Sequence, residues 1–273
     1  MNSILLEEAE CTALPDQASA LFTWSLRRED RRARHLLEVL KLAPGREFHL
    51  GVIDHSIGRG VCTIVDQDAI HGTYAPTRSV ATDTRLTSSP RRSLVLGLPR
   101  PKSLRRVLRM VGNLGVHELH LINTARVDKS YWGSPWLESE ALRAALIEGL
   151  EIACRAGATL PVLPKVHQHR LFRPFAEDQL PELLHTTSNP SDSAEVRNGV
   201  SGIVLHPGPI RSEQERRLQS SKDLLIALGP EGGFVDFELE LFQKAGLEAW
   251  SFGERCWSVE VAVPYAMAYF SPT

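Results

Sequence analysis

The run Leu224-Leu225-Ile226-Ala227-Leu228 constrains the fold of this chain more than any other stretch. Five apolar residues without alternation predict a strand covered on both faces, as in a parallel sheet sandwiched between helices. The run stops abruptly at Gly229-Pro230-Glu231-Gly232-Gly233. Its glycines permit left-handed backbone and let a ligand approach the main chain closely. An apolar stripe at helical spacing follows, formed by Phe234, Phe237, Leu241, Phe242 and Ala245, with Gly246 as its stop. A second strand is predicted over 247–252, ending in Gly253, and then a mostly apolar helix over 258–269. Two strands one helix apart, each ending in a glycine loop, predict an α/β domain with a ligand outside the carboxyl ends of its strands. The first loop lacks the Gly-Lys-Ser/Thr of a phosphate-binding P-loop and the G-x-G-x-x-G of a dinucleotide fingerprint.

The rest of the chain divides around this unit. Short strand-like runs at 47–53 and 60–65, separated by a turn-rich spacer at 54–58, predict a small β-barrel over 1–75. Residues 76–92, rich in Thr, Ser, Pro and Arg, read as a linker. The second domain then spans 93–273 and opens with a strand at 93–98. Leu104, Val107, Leu108 and Val111 form the buried stripe of the next helix. A strand at 118–123 and a helix at 139–155 with Leu142, Leu146 and Leu150 follow. Residues 171–184 read as a helix broken by Pro174 and Pro181, and 188–197 as an exposed loop. A strand at 202–206 ends in His206-Pro207-Gly208-Pro209, and 213–218 reads as helical.

A charge of −2 over 273 residues says little until the basic residues are located. Arg27, Arg28, Arg31, Arg32, Arg34 and His35 share one segment with Glu29 and Asp30, readable as a solvated face or as a phosphate contact. From Arg91 to Arg109 there are seven basic residues, Arg91, Arg92, Arg100, Lys102, Arg105, Arg106 and Arg109, and no acidic one. That cluster suits an RNA backbone, because arginine pairs bidentately with phosphate. Arg126, Lys129, Tyr131 and Trp132 form a polar, aromatic loop, fit either to stack on bases or to pack on the following helix. No apolar run is long enough to span a membrane. Residues 1–10 carry three acids and no base, which is unlike a signal peptide. The four cysteines, Cys11, Cys62, Cys154 and Cys256, form no C-x-x-C pair. The expectation is a cytoplasmic protein with no metal.

The motifs carry a specific resemblance. The segment GPEGGF-x-x-x-E from Gly229 to Glu238, then Ala245-Gly246, then Phe252-Gly253-Glu254-Arg255 and Glu260-Val261-Ala262, resembles the bacterial small-subunit rRNA uracil-N3 methyltransferases of the SPOUT superfamily. His35 to Leu42 with Gly45 is similar to the family's H-L-x-x-V-L-R-x-x-x-G. Pro101-Lys102 with Leu114-Gly115-Val116 is similar to its K…ELGV stretch. Residues 126–132 and the helix ending near Arg155 fall in the family's order. Against the family's closing pattern, L-G-x-R-I-L-R-x-E-T-A, the chain keeps the first Arg and the Glu, as Arg255 and Glu260, and loses two other polar residues. Ser258 stands where the family has its second Arg, and Val261 where it has Thr.

The resemblance implies an N-terminal PUA-like RNA-binding barrel and a C-terminal SPOUT domain with a trefoil knot, working as a homodimer on ribosomal RNA or the small subunit. It implies that S-adenosylmethionine is cupped by three loops. These are Leu205, His206, Pro207 and Gly208; Leu228, Gly229, Pro230, Glu231, Gly232 and Gly233; and Phe252, Gly253, Cys256 and Trp257. Arg255, Glu260 and Glu231 become the catalytic candidates, Arg255 to stabilise a uracil imide anion and the carboxylates to take the N3 proton. RNA contacts fall to Arg31, Arg32, Arg34, Arg100, Lys102, Arg105, Arg106, Arg126, Lys129 and Tyr131. Ser258 and Val261 open two alternatives, an RNA-binding protein without catalysis and a methyltransferase with another RNA target.

Overall fold

The computed structural model describes residues 3–14, 21–156, 159–185, 200–208 and 223–271. The chain forms two compact units, one of Met1–Ser88 with Ile147–Leu163, the other of Ser89–Leu146 with Pro164–Thr273.

The first unit holds β1 (Ser3–Leu6), β2 (Cys11–Ala13), β3 (Phe22–Arg27), the short helix α1 (Arg31–Arg34), β4 (Glu47–Val52), β5 (Ser56–Val65), β6 (Ala69–Ser79) and α2 (Thr84–Ser88). Its strands make one curled sheet in the order β1-β4-β5-β6-β3-β2. Only β1 with β4 is parallel. Residues of alternate positions, including Ile4, Leu6, Trp24, Leu26, Phe48, Leu50, Ile70 and Tyr74, meet in a single apolar core. Trp24 meets Phe48 edge to face at 5.6 Å. A Cβ at Gly72 would lie 2.4 Å from the Trp24 ring, so β6 needs a glycine there. The β6 strand runs through Pro76 to Ser79 and α2 follows, so much of the segment read as a linker is ordered secondary structure. Arg78 and Arg85 both pair with Asp83, holding its carboxyl well below the usual range and fixing this stretch.

Two of the arginines expected to meet RNA are committed inside this unit. All five guanidinium N–H groups of Arg32 are used, by Asp30, Glu10 and the Leu5 carbonyl. Arg31 pairs at 2.9 Å with Glu151, whose side chain is fully buried. Burial pushes the Glu151 carboxyl up, and Arg31 opposes that shift. A carboxylate left alone there would be costly, so Arg31 is its counterion. Arg34 is exposed.

The second unit contains β7 (Arg92–Gly97), α3 (Pro101–Asn113), β8 (Glu118–Ile122), β9 (Lys165–His169), α5 (Phe172–Pro174), α6 (Leu180–His185), β10 (Ser201–Leu205), β11 (Leu224–Leu228), α7 (Asp236–Lys244), β12 (Glu248–Trp250) and α8 (Val259–Tyr269). The helix α4 (Ser139–Ala153) begins in this unit. The sheet order is β12-β10-β11-β7-β8-β9. Every pairing is parallel. All five residues of β11 are buried, as its unbroken apolar run requires. The predicted stripe of α3 is buried as read. Residues 172–185 stay helical past both prolines, through a π-type segment at Phe175–Gln179. Phe237 leaves the predicted stripe of α7: it is 44% exposed, with Arg173 over its ring. Arg92 is buried, and its Nε donates to the Phe270 carbonyl at 2.7 Å, so the basic cluster loses this member to the core. The readings of 188–197, Pro209 and 213–218 lie outside the described residues. Among the described residues, no helix is long and apolar enough to cross a membrane.

Candidate active site

The strands β10, β11 and β12 lie side by side with one direction, β10 in the middle. Leu205 is opposite both Leu228 and Trp250, so the three strands end level and their loops emerge together. A cavity of about 370 Å³ opens among those loops. Every residue expected to hold the cofactor lines it, except Gly208. Glu231 and Arg255 line it as well.

Each loop is fixed by its neighbours. In the first, the His206 N–H donates to the Trp250 carbonyl at 3.0 Å and the Gly208 N–H to the Gly253 carbonyl at 3.2 Å. Ser251 Oγ donates to the Gly208 carbonyl at 2.6 Å and accepts from the Gly253 N–H at 3.0 Å. Gly208 is therefore a structural link between the first and third loops. In the third loop, Phe252 and Trp257 stack at 5.5 Å across its two ends, and Tyr265 of α8 sits edge-on to both. The second loop turns tightly, with the Gly233 N–H donating to the Pro230 carbonyl at 2.8 Å and Gly233 at φ 72°. It passes over the end of β7, where a Cβ at Gly97 would stand 2.4 Å from Pro230 Cδ. Only a glycine in β7 permits that approach.

Two side chains brace the second loop. Arg126, expected to meet RNA, donates through Nη1 to the Gly232 carbonyl and lines the cavity. Glu238, only 2% exposed, accepts from the Ala125 N–H at 2.6 Å and the Val235 N–H at 3.0 Å. One buried carboxylate thus ties the start of α7 to the segment that carries Arg126. Glu238 is the final residue of the quoted GPEGGF motif, yet sequence reading gave it no role. Phe234, Trp250, Val259 and Ala262 also line the cavity and were missed. They stand one to a few residues outside the glycine loops, where the apolar pattern assigned them to core.

The catalytic candidates separate. Glu260 does not line the cavity; Oε1 faces Arg106 Nη1 of α3 at 3.3 Å. Glu231 Oε1 accepts the Arg100 N–H at 3.2 Å, capping the start of α3. Among the described residues, no side-chain partner holds the exposed Arg255 guanidinium. Ser258 is the N-cap of α8, a position serine favours, and Val261 is 51% exposed. Neither lines the cavity. Trp132 is buried, and its Nε1 donates to Asn123 at 3.0 Å, which settles packing over base stacking; Tyr131 is half-buried and Lys129 exposed.

The cavity suits a compact ligand with a polar edge. Its walls combine aromatic rings with main-chain donors and acceptors of glycine-rich loops. Trp250 is 5% exposed, and its Nε1–H has no acceptor among the described residues.

Replacing Glu238 with Ala strands two N–H groups near the cavity. Each costs about 1–3 kcal/mol. We expect Glu238→Ala to lower the unfolding temperature by several degrees and weaken S-adenosylhomocysteine binding in titration calorimetry. Glu238→Gln, which keeps one acceptor oxygen, should fall between it and wild type. Unchanged affinity in a destabilised Glu238→Ala protein would show that the brace does not shape the cavity.

Comparison with known proteins agrees with this architecture. Residues 87–271 match the family model of the RNA methyltransferase domain. Over 268 residues the chain is 28% identical to ribosomal RNA small subunit methyltransferase E of Treponema pallidum, covering 98% of this chain and 90% of that one. The crystal structure of a ribosomal RNA small subunit methyltransferase E from Neisseria gonorrhoeae, bound to S-adenosylmethionine, superposes with a TM-score of 0.65 at 18% identity, covering 98% and 95% of the two chains. A Legionella pneumophila protein solved in complex with S-adenosylmethionine gives 0.64 at 17% identity, covering 99% and 97%. At these identities the structures speak for the fold alone. The family match spans well over half of the sequence, and the chain belongs to the RNA methyltransferase domain family.

Proposed function

We propose that this protein transfers a methyl group from S-adenosylmethionine to N3 of a uridine in small-subunit ribosomal RNA. The observation that carries the reading is the convergence of the three strand-end loops on one cavity, within a chain of the RNA methyltransferase domain family. The cofactor, when bound, supplies an electrophilic methyl group. The main-chain N–H and C=O groups of 205–207, 228–233 and 252–257 would hold it. A uracil N3 is nucleophilic only once its proton has left. Arg255 is the group placed to stabilise the resulting imide charge through a uracil carbonyl oxygen. Glu231 lines the cavity and is the nearer carboxylate for the N3 proton. Glu260, engaged by Arg106 outside the cavity, is set aside as base and taken as a positioning group for α8 against α3.

The wider reading takes the first unit as a PUA-like RNA-binding barrel. It takes the second as a SPOUT domain with a trefoil knot, in a cytoplasmic homodimer. RNA would run over the outer side of α3, where Lys102, Arg105, Arg106 and Arg109 are exposed, with Arg34, Arg100, Lys129 and Tyr131 as further contacts. The departures at Ser258 and Val261 leave the cavity wall untouched, which favours activity over a retired site.

Small ribosomal subunits lacking the modification, incubated with labelled cofactor, should acquire label in N3-methyluridine. Arg255→Ala should lower kcat by about a hundredfold, the scale of losing one charge-stabilising donor, with cofactor affinity retained. Glu260→Gln should leave kcat within severalfold of wild type. No label with cofactor bound would replace this reading by RNA binding alone, and label in another nucleoside would change the target. Light scattering should give the mass of two chains; a one-chain mass would remove the homodimer. Charge reversal at Arg105 and Arg106 should weaken RNA binding and flatten its salt dependence, and unchanged binding would move the RNA face elsewhere.

A further inference from the structure

The β8 and β9 strands place five polar residues on one face of the sheet. Side chains alternate along a strand, so Glu118 and His120 share a face of β8, while Lys165, His167 and His169 share a face of β9. The parallel register sets Glu118 against Lys165 and His120 against His167. The three imidazoles form a stack, with 4.7 Å between His120 and His167 and 5.3 Å between His120 and His169. Phe175 closes the inner side, 4.5 Å from the His169 ring.

His120 is the centre of this group. It is 3% exposed, and its Nδ1 lies 3.1 Å from His169 Nε2, a hydrogen bond between the rings. His169 is in turn hydrogen-bonded to Gln179. The other nitrogen of His120, Nε2, is buried with no hydrogen-bond partner among the described residues. It faces Glu118 Oε2 at 3.6 Å, beyond hydrogen-bond range. When His120 donates from Nδ1, Nε2 is a bare lone pair turned toward a carboxylate. A cation between them would satisfy both groups at once. Donor atoms of Glu118, His120 and His167 all lie within 4.8 Å of one another.

We propose that Glu118, His120 and His167 form a binding site for a divalent transition-metal ion, with zinc as the favoured occupant. Two imidazoles and one carboxylate suit zinc, nickel or copper, and not the hard cations that prefer oxygen. Zinc bonds of about 2.0–2.2 Å require the donors to draw closer than they stand. Glu118 is half-buried and His167 exposed, so both have room to move, and the ion enters from solvent. Lys165 Nζ, 3.9 Å from Glu118 Oε1, is the competing cation that zinc must displace. The hydrogen bond from His120 to His169, continued to Gln179, is the outer support that orients a metal-bound imidazole. The cysteine spacing gave no hint of this site, because its ligands are histidines brought together by strand pairing. The site lies at β9, the edge of the sheet remote from β12, β10 and β11. Its role is to clamp an edge strand, independent of the proposed methyl transfer.

The test uses the full chain without a histidine tag, stripped with chelator and titrated with zinc chloride in a calorimeter. We expect one zinc per chain and a rise in unfolding temperature with zinc. Magnesium should give neither. The His167→Ala and Glu118→Gln variants change residues that reach solvent; each should keep the metal-free unfolding temperature and weaken zinc binding by about tenfold or more. Nitrogen-detected NMR should show His120 Nε2 shifting on zinc addition. Should His167→Ala fold poorly, His167→Gln replaces it. Absence of binding in excess zinc, or binding of equal strength in wild type and in the His167 variant, would overturn the proposal.

Discussion

Parallel pairing of β10 with β11 on one side and β12 on the other is the constraint on which the candidate site depends. A parallel sheet points every carboxyl end the same way. The register goes further by aligning Leu205 with both Leu228 and Trp250. Three segments from separate parts of the sequence therefore turn at one level. An antiparallel β12 would send the third loop to the opposite end of the sheet and leave the cavity with one wall missing.

Alignment alone does not hold a glycine-rich loop in one shape, since glycine loses more conformational freedom on ordering than other residues. The structure offsets that cost with contacts to fixed elements. Ser251 ties the first loop to the third, and the Phe252–Trp257 stack closes the third on itself. Arg126 and Glu238 bind the second loop to the segment after β8. Glu231 couples the same loop to the start of α3, and Arg106 couples α3 to α8 through Glu260. Glu231 and Glu260 are thus each hydrogen-bonded to another element, whereas no side-chain partner holds Arg255 among the described residues.

What was legible in the sequence had local causes. The β11 strand was readable because burial on both faces forbids polar residues, and the α3 stripe because one helix face is wet. The glycine loops were readable because few other residues tolerate their turns. What was missed depends on partners distant in sequence. The buried counterion role of Arg31 requires Glu151, and the engagement of Arg32 requires Glu10. The brace at Glu238 requires Ala125. The linker reading failed because Pro76 sits in β6 near its end, where composition resembles a loop but pairing continues. The histidine group escaped notice for the same reason: E-x-H and H-x-H are unremarkable alone and become a cluster only when β8 pairs with β9.

The central claim is that the three strand-end loops form one cofactor site. Hydrogen exchange of backbone amides, with and without S-adenosylhomocysteine, tests it most directly. The account predicts slower exchange in 205–208, 228–233 and 252–257 together, with the strand interiors unchanged. Protection confined to one loop, or centred on another part of the chain, would contradict it.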